Sequence, residues 1–312
     1  RSLEMVTIHE FGHNFWYGLV GSNEFEEAWL DEGINSYSTG EVIDHVYGKD
    51  RGMVEFLGLR IGEADILRGG NSPDAKYNRI LAKAWDYVPQ STYGFYSYQK
   101  PELVLRTLKG YLGEQTMARV MRTFHERWRF RHPGSDDFLA VLNEVSGHDL
   151  TGFFDQVVRG TDTMDYDIGS ATTRPVPEPH GIFDSPKGRR TVTQAEARTK
   201  EAELAKNKKQ GWETIVIVRR RGEAFIPVDV DFKFEGKPVE RYTWDGRDRT
   251  KKFTFLRTEK LEWGEVDRGR KIILDANWLN NGRRIQADTR LATTLAARWL
   301  FVAQNIILWL GL

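Results

Sequence analysis

His9 and His13 lie four residues apart with Glu10 between them, in the stretch TIHEFGHNFWYGLVGSNEFEEAWLDEG at residues 7–33. On a helix, side chains at i and i+4 stand one above the other, so two imidazoles would face one point with a carboxylate beside them. This H-E-x-x-H spacing holds zinc through its histidines and uses the glutamate as a base. The segment LEMVTIHEFGHNFWYG has no proline to break a helix, and Gly12 leaves room beside the metal. A hydrolytic zinc takes three protein ligands and keeps a fourth position for water. The chain has no cysteine, so the third ligand is His, Asp or Glu. Glu32 follows His13 after 18 intervening residues, on a second helix read over EEAWLDEGINSYSTGEVIDHVYG. That loop is long enough to lay the two helices side by side. The expectation is one Zn²⁺ per chain on His9, His13 and Glu32, with Glu10 as catalytic base. Asp31 reads equally well as the partner of a ligand or as a helix-surface residue. Trp16 and Trp29 are expected to pack beneath the site. His45 and His148 sit near helix ends, and His125 and His132 lie among arginines, where solvated roles are expected.

The elements that would position these residues are helical. Met117, Val120, Met121, Phe124 and Trp128 recur on one helical face, as do Phe138, Leu139, Leu142 and Val145 after GSDD, and Leu150, Phe153, Phe154 and Val157. Pro101 suits the first turn of the helix PELVLRTLKGYL. From about residue 166 the pattern changes to β-branched, alternating runs such as TIVIVRRRGEAFIPVDVDFKFEG and KIILDANW. The fold class is therefore multidomain α + β, as 312 residues would suggest. Residues 1–165 form a mainly helical unit. Residues 166–290 form an antiparallel β-sandwich-like domain, with a charged linker or excursion at about 174–210. Residues 291–312, LATTLAARWLFVAQNIILWLGL, read as a hydrophobic C-terminal segment. It is either a membrane helix, with Arg298 snorkelling and Trp299 and Trp309 at the interface, or a buried helix closing the β domain. Lys+Arg and Asp+Glu both count 45, which gives no support for a nucleic-acid partner. The membrane reading places the protein at a membrane or in the cell envelope, and the buried-helix reading in the cytoplasm.

HEFGHNFWYGLVGSNEFEEAWLDEGINSYS resembles the zinc core of the aminopeptidase N-like gluzincins, whose H-E-x-x-H is followed after 18 residues by a Glu within W-L-x-E-G. FYSYQKPELVLRTLKGYLG is similar to the family's Tyr-Glu-Lys-Gly segment. Tyr98 then matches its catalytic tyrosine, while Gln99 stands for the usual acid and Pro101 for the usual glycine. FHERWRFRHPGSDDFLAVLNEVSGHDLTGFFDQVVRGT resembles the end of the same thermolysin-like catalytic domain. The resemblance implies removal of N-terminal residues from peptides. Water activated by the metal would attack, Glu10 would pass its proton to the leaving amine, and Tyr98 would stabilise the oxyanion. The family's amine-gripping Gly-x-Met-Glu-Asn segment is not in these 312 residues, and the chain reads as the C-terminal part of a longer protein. Two alternatives stay open: a non-catalytic scaffold or binding module of the same fold, and an endopeptidase or non-peptide hydrolase.

Overall fold

The computed structural model describes residues 2–49, 54–56, 59–70, 77–186, 188–207, 210–285 and 290–310. α1 (Ser2–Gly12) carries the H-E-x-x-H motif. α2 (Glu24–Ala28) is capped by Asn23, whose side chain accepts from the N–H groups of Phe25 and Glu26. The helix expected over EEAWLDEGINSYSTGEVIDHVYG is not continuous. Glu27 is non-helical (φ −138°, ψ 52°), and its carboxylate instead accepts from the N–H and hydroxyl of Ser135 at 2.6 and 2.5 Å. Trp29–Gly33 then forms a π-turn, closed by Ile34 N–H donating to Trp29 O, before α3 (Ile34–Tyr47) resumes.

The hairpin β1 (Val54–Phe56) and β2 (Leu59–Ile61) leads to α4 (Glu63–Gly69). A second π-turn, Phe95–Gln99, runs into α5 (Lys100–Leu112), with Pro101 in its first turn. α6 (Glu114–Trp128), α7 (Ser135–Ser146) and α8 (Thr151–Phe154) follow, the last continued by a π-turn over Asp155–Arg159. Met117, Val120, Phe124, Phe138, Leu142, Phe153 and Val157 are buried together, as their helical period predicts.

The remaining strands are antiparallel. β3 (Tyr166–Pro175), β6 (Trp212–Arg220) and β9 (Thr250–Arg257) form one sheet in that order. β7 (Val228–Phe234), β8 (Val239–Trp244), β10 (Leu261–Val266) and β11 (Gly282–Arg284) form another, in the order β11-β10-β7-β8. In β6, Thr214, Val216, Val218 and Arg220 alternate inward. The sheets meet where Phe232 lies 5.1 Å from both Phe253 and Phe255, ring to ring. The charged stretch after β3 is an excursion made of the hairpin β4 (Gly181–Ser185) and β5 (Gly188–Val192) and the helix α9 (Gln194–Lys206). One apolar core runs from helices to sheets. Across that junction Leu274 N–H donates to Thr107 Oγ1 at 2.9 Å, and Arg68 donates to the carbonyls of Ile273 and Asp275.

The last helix, α10 (Arg290–Leu310), differs from both expectations for the tail. Over residues 292–309 its side chains are exposed apart from half-buried Val302, so it does not close the β domain. No helix among the described residues is long and apolar enough to cross a membrane. Arg290, Thr293, Thr294, Arg298, Gln304 and Asn305 dilute its apolar residues.

Three packing features bring α1, α3 and α5 together. A Cβ at Gly12 would lie 1.9 Å from Asn35 Oδ1, so α1 and α3 touch at a point where no side chain fits. A Cβ at Gly33 would lie 2.5 Å from Pro101 Cβ and 3.0 Å from Ser97 O, so the first two π-turns are equally close. The third feature is Arg106 of α5, which is buried and donates to Glu102 at 2.7 Å, Asp44 of α3 at 2.7 Å and Glu63 of α4 at 2.9 Å. One guanidinium cannot neutralise three enclosed carboxylates. Burial pushes Glu102 up to about 8, against the pull of Arg106.

Two outcomes are expected. Gly33→Ala will destabilise the fold by about 1–3 kcal/mol through overpacking against Pro101, read from urea unfolding midpoints. The raised Glu102 carboxyl stabilises the fold fully below its unfolded value of 4.5, and that contribution is lost as pH rises through about 8. The midpoint will therefore fall between about pH 4.5 and pH 8, and Glu102→Gln will flatten that slope.

Candidate metal centre

α1 presents His9 and His13 on one face, with ring centroids 4.8 Å apart and planes nearly perpendicular at 89°. The π-turn brings Glu32 opposite them. Glu32 Oε2 lies 3.1 Å from His9 Nε2 and 3.3 Å from His13 Nε2. The ligating atoms of the three residues all fall within 4.8 Å of one another, and no other such cluster of His, Cys, Asp and Glu occurs among the described residues. Donors held at about 2.0–2.2 Å around a tetrahedral zinc are about 3.4 Å apart, close to the two separations between Glu32 and the histidines.

Protonation gives an independent test of whether a cation fits. His13 Nδ1 faces only acceptors, Asp31 Oδ1 at 2.7 Å and Trp16 O at 3.3 Å. In neutral His13 the proton therefore belongs on Nδ1, and Nε2 directs a lone pair at the Glu32 carboxylate. Two lone pairs facing each other at 3.3 Å require a positive charge between them, either a proton or a metal ion. Burial lowers the affinity of His13 for a proton, but Asp31, Glu32 and the Trp16 carbonyl outweigh it, so the group sits above its usual value. Burial pushes Asp31 up to about 6, despite His13. Glu32 lies below the usual range: burial opposes this, but hydrogen bonds from His9 and Tyr98 and the charge of His13 prevail. A metal that replaces the His13 proton would bind more tightly as pH rises.

Tyr98 comes from the second π-turn. Its hydroxyl donates to Glu32 Oε1 at 2.5 Å, and its ring stacks 5.7 Å from that of His9. Burial and the bond to Glu32 raise its pKa, so the hydroxyl stays a proton donor. Glu10 is exposed and lies outside the three-residue cluster.

Sequence reasoning left Asp31 open, and the structure places it in the site at 3% exposure. It missed Asn35, whose amide donates to His9 O at 2.7 Å and pins α1 to α3. It also missed Tyr93, whose ring lies edge-on to Tyr98 at 6.2 Å. Trp16 and Trp29 are buried, donating to Ser38 Oγ and Ser135 Oγ. His125 is not a solvated residue: it packs on Trp16 at 5.5 Å, with Nε2 buried. His132 is exposed, with Nδ1 2.7 Å from Gly21 O, and His45 and His148 are exposed.

Comparisons with known proteins bear on the helical part. Aminopeptidase M1-A of Oryza sativa subsp. japonica is 24% identical over 154 residues, which is 47% of this chain and 16% of the relative. Human aminopeptidase B is 27% identical over 143 residues, covering 45% of this chain and 22% of the relative. The chain thus spans less than a quarter of the length of these curated relatives. The crystal structure of Legionella pneumophila aminopeptidase A in complex with aspartic acid matches 87% of this chain and 26% of its own, with a TM-score of 0.53 and 14% identity, a likeness of fold. The family model described as the peptidase family M1 domain matches residues 1–157, half of the chain and all of the candidate metal centre, and the chain belongs to that family.

Proposed function

We propose that the protein containing this chain hydrolyses peptides with the help of zinc, removing residues from the amino terminus. The observation that carries the proposal is the convergence of His9, His13 and Glu32 donor atoms within 4.8 Å, with the Tyr98 hydroxyl on the same carboxylate. His9, His13 and Glu32 would hold the metal. When bound, zinc supplies a Lewis acid that acidifies water and polarises the scissile carbonyl. Glu10, exposed beside the two histidines, takes the proton of the attacking water and hands it to the leaving amine. Tyr98 leaves Glu32 Oε1 and donates to the substrate oxygen as negative charge develops there. His13 stays held through its Nδ1 bond to Trp16 O, with the Asp31 carboxylate alongside, keeping Nε2 aimed at the metal position.

The choice of the amino terminus rests on the family and on relatives named as aminopeptidases. Placement at a membrane has no support in the described helices. Comparing amino-acid anilides with N-blocked peptides, using the complete polypeptide, tests the choice: turnover of blocked peptides alone would turn the reading to an endopeptidase.

Three outcomes follow. Glu10→Gln will retain stoichiometric zinc by elemental analysis and lose about 10²–10⁴-fold in kcat. Retained activity would remove Glu10 from its role. Tyr98→Phe will lower kcat by about 10²–10³-fold with little change in KM, as for loss of one oxyanion donor. Chelation will abolish turnover, and zinc will restore it.

A further inference from the structure

We propose that Asp31 is a positioning residue that sets the tautomer of His13 and strengthens it as a metal ligand. The inference rests on the reading of His9, His13 and Glu32 as a zinc site. Asp31 Oδ1 lies 2.7 Å from His13 Nδ1 as a charge contact outside the line of the ring N–H, and that buried oxygen has no hydrogen-bond partner. The hydrogen bond of that nitrogen runs to the carbonyl of Trp16, which is neutral and 3.3 Å away, so the nearer full charge is that of Asp31. Asp31 is 3% exposed, so solvent screens the contact little.

The backbone around Asp31 is firmly held. Trp29, at 2% exposure, donates to Ser135 Oγ at 2.9 Å, and Leu30 is 3% exposed. The π-turn then lets consecutive carboxylates serve one imidazole from its two sides: Asp31 at Nδ1 and Glu32 at Nε2. A carboxylate on the far nitrogen fixes the Nδ1–H tautomer, turns the ring and makes Nε2 a stronger donor. Burying two adjacent carboxylates is unfavourable without a cation, so the pair serves cation binding better than it serves stability.

The test uses two variants with two readouts, zinc affinity by chelator competition and the His13 tautomer from ¹⁵N shifts of the metal-free chain at high pH. Asp31→Asn keeps an acceptor oxygen and removes the charge. It is expected to keep Nδ1–H and weaken zinc binding about 10-fold. Asp31→Ala removes both. It is expected to shift His13 towards Nε2–H and weaken binding by about 10–100-fold. A merely structural residue would lower the unfolding midpoint and leave the tautomer unchanged. If both variants bind zinc as wild type does and His13 stays Nδ1–H, the Trp16 carbonyl suffices and the proposal is overturned. If wild type takes no zinc but Asp31→Ala still shifts the tautomer, the zinc reading fails while the assignment of Asp31 to His13 stands.

Discussion

Two neighbouring carboxylates, Asp31 and Glu32, are pressed against the two nitrogens of one imidazole in a half-enclosed space. Each raises the cost of ionising the other, and burial adds to it. The arrangement is satisfied only when positive charge sits between Glu32 Oε2 and the rings of His9 and His13. A proton on Nε2 does this at low pH, and a divalent cation can take its place; in both cases Nδ1 keeps its hydrogen. Left to itself, such a pair would separate, so much of the helical packing acts against that tendency.

The restraint is mechanical and comes from four directions. Asn35 donates to the carbonyl of His9, and the bare backbone of Gly12 lets the two helices close to that distance. Glu27 leaves the helical path to bind Ser135 at the start of α7, which anchors the turn from its N-terminal side. Gly33 rests on Pro101, so the turn carrying Glu32 is packed directly on the turn carrying Tyr98. Arg106 then ties α5 to α3 and α4 through three carboxylates. Buried ion clusters add little net stability compared with apolar packing, but this one fixes the angle between the helices whose ends hold Glu32 and Tyr98.

The parts of this that are local in sequence were legible. Helical spacing alone puts His9 and His13 on one face, and the apolar periods of α6 and α7 match their buried residues. Alternation marked the strands, with β6 the plainest case. The π-turns were not legible, because they arise from contacts between distant residues such as Gly33 with Pro101 and Glu27 with Ser135. A pattern reader sees only a continuous helix from Glu26 to Gly48. Asp31 was ambiguous because its contact with His13 joins two helices, a pairing that no local spacing encodes. His125 looked solvated because arginines flank it in sequence, yet its contacts are the rings of Trp16 and Phe15. The tail's apolar count suggested either burial or a membrane, and composition alone cannot distinguish these from the exposed helix observed.

Pro101 shows how a departure from the family pattern fits the geometry. A proline inside a helix has no N–H to offer, and its ring crowds the carbonyl four residues back. Here that carbonyl belongs to Ser97. The chain is wider just before the proline: Lys100 N–H reaches Phe95 O, five residues back, in a π-turn. Widening relieves the crowding at Ser97, whose carbonyl faces Gly33 instead. It also changes the direction of Tyr98, three residues before the proline, so that its hydroxyl meets Glu32 while its ring lies along His9. A larger residue at Gly33 would press on Pro101 and Ser97 together. The glycine of WLDEG and the proline after the tyrosine thus form one steric unit, through which the shape of α5 is felt at the Glu32 carboxylate.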